Sequence, residues 1–289
     1  MCFISITLNP KQKKNSMPDI IQDKLTYNGD GSGLVAYNKY GNQSIFMRSL
    51  KIGRRIIEQA STNPLSIVHL RSATTGDVTK ENVHMWKKRG WVFAHNGTLT
   101  GLGTKEFSDS HIFFEMLLDQ KILQAKDIDI IAVEALAKQF HLWGRFSLVN
   151  EATKTMYLFG SWDVIHYDDV CYITSANIKL ITPTYLHGIR FIQDASGMLE
   201  AKLDGVYKMD MKTLELECLK TSFNTYSYTP TPISQATSNA IGFKTPQPHL
   251  AQAGWGFGDD IDDDLYYDND IGDWIPINQR KYAKRYNTR

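Results

Sequence analysis

The chain has 289 residues, 42% of them hydrophobic and 22% charged, with 32 Lys and Arg against 31 Asp and Glu. These values suit a globular protein of one large domain or two small ones, and a net charge of +1 offers no whole-chain surface for nucleic acid or membrane. No apolar run approaches the roughly 18 residues needed to cross a bilayer. The N-terminal stretch has its charges after its apolar residues, the reverse of a secretory signal. Cys2, Cys171 and Cys218 are too few and too scattered for a disulfide framework or a paired metal site, so a reducing, cytoplasmic location is the expectation.

In chain order, residues 2–8 (CFISITL) alternate and are β-rich, which predicts a strand at the very start. Strands are also predicted at 33–37, 65–70, 91–95, 145–149, 155–159, 170–174 and 205–210. Helical spacing appears at 51–60, 108–121 and 126–140. In the second of these, Ile112, Phe113, Met116 and Leu117 share a face, and Ser108 or Asp109 can cap the start. Many short strands with few helices fit an α+β domain whose sheets pack between helix layers. Near residue 220 the composition turns to Thr, Ser, Pro, Asn and Gln, which cannot bury enough apolar area to offset ordering entropy. The expected organisation is a domain at 2–220, a linker at 221–258, and a disordered tail at 259–289 that is acidic and aromatic, then basic.

Chemistry starts at Cys2. Removal of Met1 would leave a thiol and a free α-amine on one residue. The amine's ordinary pKa is about 8 and the thiol's about 8.5, so the amine can serve as general base near neutral pH without a histidine. By itself, a Cys at position two reads as a small hydrophobe.

Five further blocks change that reading. MCFIS at the start is followed by DGSG at 30–33, HLRSATTG at 69–76, Asn82-Val83-His84, then His95-Asn96-Gly97, and SDS at 108–110. Over about residues 1–220, this order and spacing resembles the class II glutamine amidotransferases. Their pattern runs Met-Cys, a DGxG-type loop, H-x-R-x-A-T-x-G, N-A-H-P, H-N-G, and a T-D-S-E-like segment.

The resemblance implies a four-layer αββα sandwich of the N-terminal nucleophile hydrolase type. It implies that Cys2 attacks the side-chain amide of glutamine and that Asn96 and Gly97 form the oxyanion hole. Arg71 would grip the substrate α-carboxylate, a task its planar fork suits. Asp109 would pair with the α-amine, and Thr74 would line the substrate loop. An H-N-G block after a strand is expected as a tight turn in which Gly97 lets backbone approach a ligand; a plain Asn-Gly hairpin would look the same. His69 and His95 are expected to be structural. A γ-glutamyl thioester would form, ammonia would leave with a proton from the Cys2 amine, and water would release glutamate. No metal or organic cofactor is required by this route.

The chain departs from the pattern in three places. Met85-Trp86 follow His84 where Pro and an aromatic are usual, His111 replaces an acid, and Ser32 stands where Trp is common. The roughly 70 residues beyond 220 are too few and too polar for a synthase domain, so a separate ammonia acceptor is expected. Eight Asp between 259 and 273, interleaved with Trp255, Phe257, Tyr266, Tyr267 and Trp274, suit a tail that docks on that acceptor. The acidic run repels phosphates and disfavours nucleic acid, and no membrane partner is expected. A stand-alone hydrolase of a γ-glutamyl or related amide, and an inactive amidotransferase-like scaffold, are the alternative readings.

Overall fold

The computed structural model describes residues 2–12, 28–50, 62–167, 170–175 and 199–223. It also describes the strand backbones at 182–186, 189–193, 265–268 and 273–276, and single positions between these segments. Contacts divide the chain into two units, Met1–Ser227 and Tyr228–Arg289.

The first unit is built on one branched sheet of thirteen strands, and each described pairing in it is antiparallel. The strands are β1 (Phe3–Leu8), β2 (Ser32–Tyr37), β3 (Gln43–Ser49), β4 (Leu65–Leu70), β5 (Trp86–Lys88), β6 (Trp91–Thr98), β7 (Trp143–Asn150) and β8 (Thr155–Tyr167). After them come β9 (Val170–Thr174), β10 (Thr182–Leu186), β11 (Ile189–Gln193), β12 (Leu199–Asp210) and β13 (Leu216–Lys220). Two helices follow β6: α1 (Asp109–Asp119) and α2 (Ile130–Gln139).

The branch lies on β8. Its first part, Thr155 to Phe159, pairs with β7, and its last part, Asp163 to Tyr167, pairs with β9. Between them Gly160 has φ +96 and faces Gly205, φ +131, on β12. Both values lie where a side chain is strained, so this pair of glycines marks where β8 leaves one arm of the sheet and enters the other.

Alternation along the strands sorts side chains onto separate cores. Ile4, Ile6, Val35, Ile67, Val92, Ala94, Val149, Met156, Leu158, Trp162, Val164 and Ile173 meet in a core between the two arms. The opposite residues of β6, β7 and β8 (Phe93, Phe146, Leu148, Phe159) pack on α1 and α2 through Phe113, Phe114, Leu117, Val133 and Leu136. Burying each of these side chains is worth about 1.5–3 kcal/mol. Phe3, Leu34, Val68, Ile165 and Tyr172 form a third core, completed by Ile56 and Ala60.

Most expected elements are present. Ser108 caps α1 by accepting from the His111 N–H, and Asp129 caps α2 by accepting from the Ala132 N–H. Most of the helix expected at 51–60 lies outside the described residues. Strands β3, β5, β10, β11 and β13 were not anticipated. The packed unit also continues past 220: Phe223 is buried against Phe146 and Phe159, at ring-centroid distances of 5.7 and 5.5 Å. The linker expected at 221–258 otherwise lies outside the described residues. In the tail expected to be disordered, β14 (Leu265–Asp268) pairs with β15 (Asp273–Pro276) as an antiparallel hairpin; the rest of that tail lies outside the described residues. Among the described residues no helix is long and apolar enough to cross a membrane.

Candidate active site

Three strand ends place the nucleophile candidate. β1 pairs with β4 as Phe3 with Leu70, and β4 pairs with β2 as Leu70 with Ser32. One step further, Cys2, Gly31 and Arg71 therefore meet at the same edge. The Arg71 N–H donates to Gly31 O at 2.7 Å, and the Asp30 N–H donates to Arg71 O at 3.1 Å. Cys2 itself lies just before β1 rather than within it. Its Sγ donates to Ser72 O and accepts from the Ser72 N–H, both at 3.4 Å. The Asp30 carboxylate accepts from the Ala73 N–H at 2.7 Å, which fixes the loop beyond Arg71. Thus the DGSG loop supports the site from behind. Gly33 serves close approach: an added Cβ would lie 1.9 Å from His84 O.

A pocket of about 250 Å³, counting its open mouth, is lined by Cys2, Arg71, Thr74, Gly97 and Asp109, together with residues 72, 73, 75, 84, 95, 108 and 110. Five of the six expected site residues therefore share one cavity wall. Asn96 stands one residue away; its side-chain N–H donates to Ser175 Oγ at 2.7 Å.

The expected turn at 95–97 is absent. β6 runs straight through these residues, and Asn96 and Gly97 pair with Arg145 and Gly144 of β7. The reason is steric: an added Cβ on Gly97 would lie 1.8 Å from Trp143 O, and Gly144 has φ +123. Two facing glycines let the strands approach where an Asn-Gly turn would have ended them.

Asp109 opens α1, and its carboxylate accepts from the N–H groups of Leu99 and Ser110, both at 2.7 Å, and from Thr75 Oγ1 at 3.1 Å. A carboxylate at a helix N-terminus is also favoured by the helix dipole. The Arg71 guanidinium reaches the carbonyls of Thr75, Gly76 and Asp77 at 3.0–3.2 Å. Burial lowers its pKa, opposed by the charges of Cys2, Asp30 and Asp109. Burial also pushes the Cys2 thiol up, while the Ser72 N–H, the chain-terminal charge and Arg71 pull it down.

Four histidines at or near the pocket are buried, and His84 and His95 line it. His69 and His84 stack at 3.9 Å between centroids, and His84 meets Trp86 at 4.1 Å. His69 Nε2 donates to His95 O at 3.1 Å, and His95 Nδ1 lies 2.8 Å from Ser110 Oγ. Burial drives His69 down to about 3 and His95 and His111 to about 4; His84 falls well below its ordinary value, again chiefly through burial.

Ser72, Ser110 and Ser175 were missed. Ser72 falls on an open place of the H-x-R-x-A-T-x-G block, and Ser110 lies within the SDS block, where only Asp109 had been given a role. Ser175 closes a strand outside every block, and only strand pairing reveals it.

The family profile of class-II glutamine amidotransferases matches residues 48–147. That match covers less than half of the chain. It contains Arg71, Thr74, Asn96, Gly97 and Asp109, whereas Cys2 lies upstream of the match. No curated protein matches the chain. Among solved structures, one similar chain is glutamine phosphoribosylpyrophosphate amidotransferase from B. subtilis, complexed with ADP and GMP. It is 14% identical, with TM-score 0.43, over 69% of this chain and 48% of that one. Another is described as the allosteric regulatory enzyme of purine biosynthesis, at 13% identity, TM-score 0.42 and the same coverages. A predicted glutamine amidotransferase from Pseudomonas aeruginosa matches at 12% identity and TM-score 0.32, over 71% of this chain and 83% of that one. The chain thus spans about half the length of the first two of these chains.

Proposed function

We propose that this chain hydrolyses the side-chain amide of glutamine, with Cys2 as nucleophile once residue 1 is removed. The observation that carries this reading is the composition of one pocket wall: a thiol, a guanidinium and a carboxylate, at Cys2, Arg71 and Asp109. Opposite charges beside a nucleophile match an amino acid's carboxylate and ammonium, and they orient its side chain toward the thiol.

In this mechanism Cys2 Sγ forms a bond to the amide carbon. The freed α-amine takes the thiol proton and passes it to the departing ammonia. The Gly97 N–H and the Asn96 amide stabilise the oxyanion, at roughly 3–4 kcal/mol per donor. Water then cleaves the γ-glutamyl thioester. Glutamine itself, rather than a related amide, and ammonia delivery to a separate acceptor belong to the same proposal. The acceptor would dock through residues 259–289, whose aromatics can anchor while the eight Asp meet a basic surface. A four-layer αββα arrangement is part of this reading. It is supported by α1 and α2 outside one sheet arm and by Ile56 and Ala60 outside the other.

The test is alkylation by a glutamine-like diazoketone, followed by intact mass and peptide mapping. One adduct on Cys2, prevented by glutamine, supports the proposal. Cys171 is half-buried and burial pushes its thiol up to about 12, whereas Cys218 is exposed and reacts without glutamine protection. Glutamine-protected labelling of Cys171 or Cys218, or activity in protein that retains Met1, overturns it.

A further inference from the structure

We infer that Ser175 is a positioning residue that aims the Asn96 carboxamide at the reaction centre; this rests on the reading of Asn96 as an oxyanion donor. The inference comes from an irregular strand pairing. β1 and β9 are antiparallel with Ser5 opposite Thr174, so Ile4 and Ser175 form the next pair. In a regular ladder two such residues exchange both N–H···O=C bonds. Here the Ser175 N–H donates to Ile4 O at 3.0 Å, but the return bond differs. The Ile4 N–H donates to Ser175 Oγ at 2.8 Å, so the side-chain oxygen replaces the carbonyl. The freed Ser175 carbonyl accepts instead from Arg145 Nη1 at 3.1 Å. Arg145 is the cross-strand partner of Asn96.

The displaced hydroxyl has a second donor. Asn96 Nδ2 lies 2.7 Å from Ser175 Oγ, and both residues are buried. A hydroxyl oxygen has two lone pairs, so both are engaged: one by the strand that begins beside Cys2, the other by the oxyanion candidate. Asn96 Oδ1 has no hydrogen-bond partner among the described residues, so on the side-chain amide the Ser175 contact alone fixes the rotamer. Of the two amide protons, one is spent on Ser175, which directs the remaining one. Ser175 therefore sets the orientation of Asn96 relative to the strand that carries the nucleophile. Catalysis by such donors depends on alignment before the charge forms, so a loosened carboxamide should slow chemistry and spare binding.

The experiment is steady-state glutamine hydrolysis by the full chain and its variants, with melting temperatures recorded for each. Ser175→Ala should lower kcat by about tenfold or more while KM stays within about twofold, because Arg71 and Asp109 are untouched. Ser175→Thr keeps the oxygen and should restore most of the lost kcat. The Ser175→Ala/Asn96→Ala double variant should be no slower than Asn96→Ala alone, since both act through one donor. Ser175→Cys fills the same space with a poor acceptor, and carries the test with the same kcat loss if the Ala variant does not fold. A wild-type kcat in Ser175→Ala or Ser175→Cys, or additive losses in the double variant, overturns the inference alone. Absence of glutamine turnover in the wild type, or an Asn96→Ala variant as fast as the wild type, overturns the underlying reading and this inference with it.

Discussion

Arg71 and Asn96 should fail differently when changed. The Arg71 fork already holds three carbonyls of residues 75–77, so it both faces the pocket and ties down its rim. Lys keeps the charge but cannot form a planar fork. Arg71→Lys should raise KM for glutamine by roughly tenfold or more, with a smaller change in kcat. Asp109→Asn should also raise KM. It additionally turns an amide N–H₂ toward Leu99 N or Ser110 N, which leaves a buried donor unmatched at about 1–3 kcal/mol of stability. Asn96→Ala should instead lower kcat by about a hundredfold or more at nearly constant KM. Steady-state kinetics separates the two groups, and a kcat effect confined to Arg71→Lys would reverse their roles.

Among the elements, β8 carries the sharpest prediction. Gly160 stands at its bend with φ +96, and an added Cβ would lie 2.8 Å from Gly144 O. Gly160→Ala should destabilise the protein by more than about 1 kcal/mol through strain and contact together, read as a fall in the urea midpoint. A midpoint equal to the wild type's would show that the bend does not need glycine. The sequence foretold β8 only as 155–159. Its second half, from Ser161 to Tyr167, was hidden because it includes Asp163 and His166, and its partners β9 and β12 come later in the chain. Strands β1, β4 and β9 were legible because alternation and β-branched residues act locally. α1 and α2 were legible through apolar spacing, and α1 also through its Ser108 cap. Cys2, Arg71, Thr74, Gly97 and Asp109 could be named from ordered blocks. That Asn96 and Gly97 continue a strand could not, because Gly144, on a different strand, decides it.

For the whole molecule, acid should be destabilising well above the carboxylate range. His69, His95 and His111 are held neutral in the fold at about 3, 4 and 4, whereas an unfolded imidazole titrates near 6.5. Below about pH 6.5 the unfolded chain takes up protons that the folded one refuses. The stability of the neutral cluster is therefore complete above that value and drains away down to about pH 4, and to about 3 for His69. Urea midpoints should be lower at pH 5 than at pH 7, and a constant or rising midpoint contradicts the histidine assignment. Truncation belongs to the same scale. Because Phe223 is part of the core, cutting after Ser227 should leave glutaminase activity and melting temperature intact, while cutting after Lys220 should lower both.

The branched strand has one more consequence, for cooperativity. Since β8 is hydrogen-bonded to β7 over its first half and to β9 over its second, neither arm of the sheet can detach while the other stays whole. Cys2 lies beside one arm, and Asn96 and Gly97 lie on the other. Any opening large enough to part them must break β8, and that amounts to unfolding the domain. Amide protons of β8 should therefore exchange with deuterium only at the rate of global unfolding, and on both sides of Gly160 alike.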